Sequence, residues 1–195
     1  RLSLTPPCGP VSIEIPIDIQ AKLLPVPADM QPLPVSPVRA SPTQVQELAD
    51  HLKHAKRPLL WLGGGARAAG PAVQRFVKMG WGVVTSVQGR GVLTEAHPAN
   101  LGSYNLQKPA ESLYQTCDAM LVVGSRLRSN ETLNYKLNLP ATRYRIDANT
   151  LADNRGYSSE LFVQGDAALT LHALADLLEG QMHIDAHYLS DLQQA

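Results

Sequence analysis

The feature that most constrains the fold is a set of short, mostly apolar runs separated by stretches of helical periodicity. The runs lie at residues 59–62, 83–87, 119–123, 144–147 and 161–163. Apolar strands alternating with helices are typical of a parallel sheet that is covered on both faces. The pattern predicts an α/β fold, a doubly wound parallel sheet of about five to six strands with Rossmann-like architecture.

The stretches between the runs carry the signals of helices. Ser41 can cap a helix with Pro42 at its first position and Gln44 three residues after the cap, and Val45, Leu48, Ala49 and Leu52 then recur at helical spacing. The other predicted elements are helices at 71–79 and 110–116, a turn-rich loop at 88–105 and a last helix capped by Asp166.

The chain is predicted to contain four parts. Residues 11–15 alternate β-branched and polar side chains, as a strand does, so we interpret 1–20 as the tail of a preceding domain. The proline-rich stretch 21–40 is expected to be an extended linker, because proline fixes φ and removes a backbone donor. The central α/β domain is placed at 41–180, and the polar residues 181–195 are expected to be a trailing segment or the next linker.

Composition excludes several classes of function. The chain is 44% hydrophobic and 17% charged, which is ordinary for a folded soluble protein. Lys+Arg and Asp+Glu both number 17, so nothing predicts binding to nucleic acid or to a membrane surface. Cys8 and Cys117 have no metal-type spacing, no signal peptide is present and no apolar run could span a bilayer, which together predict a cytoplasmic protein with free thiols.

The residues that follow each strand are the candidate site, because ligands of doubly wound sheets bind outside the carboxyl ends of the strands. Gly63, Gly64 and Gly65 follow the first strand and begin a loose G-x-G-x-x-A sequence, in which glycines let the backbone approach a phosphate. A tight strand–helix turn without a ligand is the alternative. No carboxylate follows about 20 residues later, which argues against ordinary NAD binding.

Three further strand ends contribute candidates. Gly89 and Arg90 follow the second strand, and Ser125 and Arg126 follow the third, where a guanidinium suits a diphosphate. Asp147 ends the fourth strand and can accept hydrogen bonds from ribose hydroxyls. The alternatives are a flexible loop, a salt bridge and a turn cap, respectively. Together these positions predict an adenine-nucleotide-like cleft, and we predict no catalytic residue and no metal site in the chain.

Several segments follow one another along the chain in a specific order. They are 9–18 (GPVSIEIPID), 56–65 (KRPLLWLGGG), 89–91 with 97–98 and 101–102, 118–126 (DAMLVVGSR), 146–147 and 163–166 (VQGD). This order resembles the central domain of thiamine-diphosphate enzymes of the acetolactate synthase and benzoylformate decarboxylase type, a DHS-like NAD/FAD-binding architecture. The first of these segments resembles the closing strand of that family's pyrimidine-binding domain.

The resemblance implies a three-domain homodimer or tetramer in which thiamine diphosphate and Mg²⁺ lie between the first and third domains. The family's catalytic glutamate and G-D-G metal motif belong to those domains, and here Gly165-Asp166 is followed by Ala167. The central domain of some members binds FAD or the ADP part of a coenzyme, through positions corresponding to 63–65, Arg126 and Asp147. Leu127 and the residues after it depart from the FAD binders, which argues against FAD.

The favoured hypothesis is therefore the central domain of a thiamine-diphosphate enzyme acting on 2-oxo acids, as a decarboxylase, synthase or lyase. The isolated chain is expected to be inactive and to bind no thiamine diphosphate, because the partner domains hold that cofactor. One alternative is a free-standing module that binds FAD, NAD or ADP. Another is an oligomerisation domain with an empty cleft.

Overall fold

The computed structural model describes residues 3–6, 8–31, 34–103, 108–153 and 156–194. They belong to two compact units, Arg1–Pro37 and Val38–Ala195.

The first unit contains one short helix, α1 (Ile17–Gln20), and no strand among its described residues. The strand expected at 11–15 is not formed here, and Val11, Ile13 and Ile15 are 48%, 79% and 53% exposed. An isolated strand leaves its backbone donors and acceptors without partners, so alternation alone does not produce one.

The second unit contains a five-stranded parallel sheet. Its strands are β1 (Pro58–Leu62), β2 (Gly82–Thr85), β3 (Ala119–Val123), β4 (Arg143–Asp147) and β5 (Leu161–Gln164), in the spatial order β2-β1-β3-β4-β5. The helices are α2 (Pro42–Leu52), α3 (Gly70–Lys78), α4 (Lys108–Gln115), α5 (Ala167–Leu178) and α6 (Tyr188–Gln194). The predicted α/β, doubly wound parallel fold is confirmed.

A sixth segment lies beside β2 without forming a full strand. The N–H of Val83 donates to Ala99 O at 2.8 Å, and the N–H of Leu101 donates to Val83 O at 2.8 Å. Counting 99–102 as a strand gives the 3-2-1-4-5-6 order of dinucleotide-binding folds. The predicted loop 88–105 is thus partly sheet-like, and its residues 104 and 105 lie outside the described residues.

One face of the sheet is covered by α2, α3 and α5. The residues of α2 that are buried are the four that the helical periodicity predicted, Val45, Leu48, Ala49 and Leu52. Ser41 precedes the helix as predicted, although its side chain makes no capping hydrogen bond. Full burial of a side chain such as Leu48 contributes about 1.5–3 kcal/mol, so this face supplies much of the stability.

The opposite face is covered by α4, α6 and loops. The described parts of the connections from β3 to β4 and from β4 to β5 contain only short 3-10 turns, Ser129–Glu131 and Thr150–Ala152. Loop backbone therefore lies over β4, where a doubly wound fold commonly has a helix.

Residues 181–194 differ from the expected trailing segment. They contain α6, and Tyr188 in this helix is fully buried, with its hydroxyl donating to Pro58 O at 2.9 Å. The indole N–H of Trp81 donates to the sulfur of Met182 at 3.3 Å. The segment therefore packs as part of the second unit.

The second strand is shorter than predicted. It ends at Thr85 rather than at Val87, because Ser86 begins a 3-10 turn, Val87–Gly89, and its hydroxyl oxygen accepts from the N–H of Gly89. Val87 is consequently 64% exposed.

Candidate site at the carboxyl edge of the sheet

All eight residues predicted for the site lie in the loops that follow β1, β2 and β3 or at the end of β4. Because the strands are parallel, these positions share one edge of the sheet. The order of strands reverses between β1 and β3, and such a switch point is where open α/β sheets bind ligands. The loops that begin at Gly63 and Gly124 flank this point.

The two loops at the switch point are in direct backbone contact. The N–H of Gly63 donates to Val123 O at 2.8 Å, and the N–H of Gly65 donates to Gly124 O at 3.0 Å. A Cβ on Gly63 would lie 2.2 Å from Gly124 O, and one on Gly65 would lie 2.9 Å from the Cα of Gly124. Close packing therefore requires glycine at these positions whether or not a ligand binds.

The helix after the glycine triplet begins late. A 3-10 turn, Gly64–Ala66, follows β1, and α3 starts only at Gly70. A Cβ on Gly70 would lie 3.2 Å from Val92 O, so the loop after β2 packs against the start of this helix. The start of α3 is thus separated from the triplet, unlike in the dinucleotide fingerprint, and the N–H groups of Gly63 and Gly65 already donate to carbonyls at the end of β3 and just after it.

The loop after β2 contributes its glycine and its arginine in different ways. Gly89 packs on the end of β1, because a Cβ there would lie 2.1 Å from Leu62 O. Arg90 forms a salt bridge with Glu95 at 2.6 Å and is largely exposed. The structure therefore brings Gly89 to the glycine cluster and pairs Arg90 with a neighbouring carboxylate.

Arg67 is a residue at this edge that the sequence analysis did not select. Its Nε donates to Gln88 O at 3.1 Å, and its Nη2 donates to Gln88 Oε1 at 2.7 Å. These bonds join the loop after β1 to the loop after β2. The sequence signal that could have identified it is an arginine two residues after a glycine triplet.

Ser125 and Arg126 follow β3. Ser125 is buried, and its Oγ accepts from the N–H of Leu127 at 3.2 Å. Leu127 itself is buried with φ of 46°, a left-handed conformation that costs free energy for leucine. Arg126 is half-buried and forms no hydrogen bond or ion pair with another residue in the described part of the chain.

Asp147 lies at the end of β4, next to β3 in the sheet. Its Oδ1 accepts from the N–H of Asn149 at 2.8 Å. Burial raises the pKa of this carboxyl, while the Asn149 N–H and the positive charges of Arg145 and Arg126 oppose the rise. Arg126 and Asp147 thus offer a donor and an acceptor of opposite charge on neighbouring strand ends, an arrangement that suits the phosphate and the hydroxyls of a nucleotide.

Three further observations concern metal binding, membrane crossing and thiol reactivity in the described residues. They contain no group of three or more His, Cys, Asp and Glu side chains that could hold a metal ion. None of their helices is both long enough and apolar enough to cross a membrane. Cys117 is buried, and burial raises the pKa of its thiol, which disfavours the reactive thiolate.

Comparison with known proteins identifies the family. Residues 45–174 match the family model described as "Thiamine pyrophosphate enzyme, central domain". The chain belongs to this family.

Two relatives illustrate the similarity. The chain is 32% identical over 169 residues to the probable 2-ketoarginine decarboxylase AruI of Pseudomonas aeruginosa, covering 85% of this chain and 30% of the relative. It is 28% identical over 196 residues to the large subunit of acetolactate synthase isozyme 1 of Escherichia coli, and the match covers 95% of this chain and 34% of the relative. The chain therefore spans about a third of the length of these relatives.

A solved structure supports the fold. A protein from Mycobacterium smegmatis, assigned as a thiamin diphosphate-dependent enzyme, superposes with a TM-score of 0.70 at 23% identity. The match covers 94% of this chain and 35% of that one.

Proposed function

We propose that these residues act as the central domain of a longer thiamine-diphosphate-dependent enzyme that converts a 2-oxo acid. The observation that carries the proposal is the family match over 45–174. In addition, the chain matches 30% of the length of a relative whose name specifies a 2-keto acid decarboxylase. A pyruvate oxidase from Lactiplantibacillus plantarum is 28% identical over 176 residues and has the same kind of substrate in its name.

In such an enzyme thiamine diphosphate supplies the carbanion chemistry. As the resemblance to this family implies, thiamine diphosphate and its Mg²⁺ would both be held by domains before and after this one. The contribution of this chain is then to hold those domains in place in a cytoplasmic homo-oligomer. Residues 1–20 would be the tail of the preceding domain, and the alternating, exposed Val11, Ile13 and Ile15 would pair in its sheet.

The strand ends that carry Arg126 and Asp147 are proposed to border a cleft that binds an ADP moiety. The residues fit this group, because a half-buried guanidinium without a described partner follows β3 and a half-buried carboxylate ends the neighbouring strand β4. Gly63, Gly64, Gly65, Gly89, Arg90 and Ser125 would border the ligand. FAD, or an empty cleft with a purely structural role, are the competing outcomes.

A thermal-shift titration of the chain with ADP, FAD, coenzyme A, NAD and thiamine diphosphate tests the cleft. A ligand at about 100 times its Kd adds about 2.7 kcal/mol of stability, which is several degrees for a domain of this size. We expect a shift with ADP that Arg126→Ala abolishes and that Arg128→Ala, an exposed neighbour, leaves in place. No shift with any nucleotide would leave a structural domain.

The wider proposal needs the full-length protein. We expect thiamine-diphosphate- and Mg²⁺-dependent consumption of a 2-oxo acid by that protein and none by residues 1–195. Tight, Mg²⁺-dependent binding of thiamine diphosphate by residues 1–195 alone would contradict the proposed division of labour, and a full-length protein inactive on every 2-oxo acid tested would contradict the reaction class.

A further inference from the structure

Two arginines two residues apart on β4 bind the loops that cover this strand. Arg145 is 1% exposed, and its guanidinium donates to the carbonyl oxygens of Ala152 and Tyr157. Arg143 donates to the carbonyl oxygens of Pro140 and Ser158. Buried loop carbonyls need donors, and the fork of an arginine can satisfy two of them at once.

Arg145 is an unusual residue for this position. Its neighbours Tyr144 and Ile146 are buried in the apolar core, and no salt bridge joins Arg145 to a carboxylate among the described residues. Burying a guanidinium is costly: burial lowers the pKa of Arg145, although the negative charges of Asp153 and Asp147 oppose the decrease. The guanidinium therefore acts on the covering loop through the two carbonyl oxygens that it binds.

A continuous series of hydrogen bonds connects Arg145 to the candidate site. Arg145 donates to Ala152 O, and the N–H of Ala152 donates to Asn149 O at 2.9 Å. The N–H of Asn149 then donates to Asp147 Oδ1 at 2.8 Å. The side chain of Asn149 closes the same turn by accepting from the N–H of Leu151 at 3.0 Å.

We propose that Arg145 is a positioning residue for the candidate site: it holds the turn Thr150–Ala152 and, through that turn, fixes the carboxylate of Asp147 at the carboxyl edge of the sheet. The role of Arg145 in ligand binding rests on the nucleotide site proposed above, whereas the series of hydrogen bonds does not depend on any ligand. Arg145 does not touch the ligand and acts only through the turn.

The test compares Arg145→Lys and Arg145→Met with Arg143→Met as the matched control on the same strand and face. Two readouts need no ligand: amide exchange at Leu151 and Ala152, and the pKa of Asp147 from a carbon-13 carboxyl titration. Lysine keeps the positive charge and loses the fork, so it separates positioning from simple charge effects.

We expect both Arg145 variants to speed exchange at Leu151 and Ala152 by about fivefold, because the turn loses the one hydrogen bond that Arg145 donates to Ala152 O. Both should also raise the pKa of Asp147, because the Asn149 N–H no longer holds its charged form. Arg143→Met should change neither readout, since Arg143 binds other carbonyls. A pKa change in Arg145→Met alone, with lysine behaving as the native residue, would show a charge effect and overturn the proposal.

A second pair of variants keeps the proposal testable if the proteins with substitutions at the buried Arg145 do not fold. Leu151 is 64% exposed, so Leu151→Gly loosens the turn without touching the core, and Leu151→Ala is its control. Glycine should speed exchange at Ala152 and raise the pKa of Asp147, and alanine should not. Equal behaviour of the two would sink the proposal. If ADP fails to bind but these shifts occur, only the proposed ligand is wrong.

Discussion

The hydroxyl of Tyr188 donates to the carbonyl oxygen of Pro58 across 2.9 Å in a fully buried site, which joins α6 to the first residue of β1. The same hydroxyl lies 3.4 Å from the sulfur of Cys117, and the guanidinium carbon of Arg57 lies 5.3 Å from the centre of the tyrosine ring. One aromatic side chain thus links α6 to the starts of two strands.

We expect Tyr188→Phe to lower the free energy of unfolding by about 1–3 kcal/mol, because Pro58 O would lose a buried donor. Urea denaturation of the native and variant chains measures the change. Tyr135→Phe is the control, since Tyr135 is 47% exposed and makes no hydrogen bond through its hydroxyl to a residue in the described ranges. Equal losses in the two variants would contradict the role given to the hydroxyl.

Deletion of residues 181–194 should lower the free energy of unfolding by at least about 3 kcal/mol, a loss typical of removing one large buried aromatic side chain. Most of this loss would come from the apolar surface that the segment buries rather than from its charged side chains. Asp191→Asn, which breaks the ion pair with Arg57 at 2.7 Å, should cost no more than about 1 kcal/mol because Asp191 is 47% exposed. A truncated chain as stable as the whole one would show that this segment is indeed a trailing linker.

Gly63→Ala should destabilise the chain by about 1–3 kcal/mol or more without any ligand, because the new Cβ would overlap Gly124 O. Gly64→Ala should cost less than about 1 kcal/mol, since the nearest atom, the Cβ of Gln88, lies 3.1 Å away and a displacement of the loop after β2 by a few tenths of an ångström would relieve the contact. Thermal unfolding distinguishes the two. If both variants are stable and only ligand binding is lost, the triplet serves the ligand instead of the packing.

The raised pKa of Asp147 predicts a specific pH dependence. The folded state keeps the proton to higher pH than the unfolded state, so this group makes the free energy of unfolding fall as the pH rises from the ordinary pKa of 3.8 through the raised one. Asp147→Asn removes that component and keeps an acceptor for the Asn149 N–H. We expect the variant to be more stable than the native chain at neutral pH and to show a flatter profile in urea denaturation from acid to neutral pH. Parallel profiles would refute this assignment.

The sheet was predictable where the chain itself marks the ends of strands. The apolar run of β3 lies between Asp118 and Gly124, and both of its predicted ends agree with the structure. The second strand was predicted too long, because Val87 is apolar although Ser86 has already begun a turn. Apolarity alone does not reveal where a side chain caps a turn.

Segments whose structure depends on distant partners were not predictable. Residues 181–194 are polar on average, and Tyr188 becomes buried through contacts with residues far along the chain, among them Pro58, which is 130 positions away. At the site, the sequence predicted which residues follow the strands, but not that Arg90 would pair with Glu95. Arg145 was overlooked, although an arginine between two core residues of a strand was a visible signal.

The bonds made by Arg143 and Arg145 have a consequence for how the sequence can change. Their acceptors in the loops are carbonyl oxygens of Pro140, Ala152, Tyr157 and Ser158, and every amino acid carries such an oxygen. Replacements along these loops therefore leave the acceptors intact, whereas replacing either arginine removes two bonds at once. In evolution the side chains of these loops are therefore free to diverge, while the two arginines are expected to be retained.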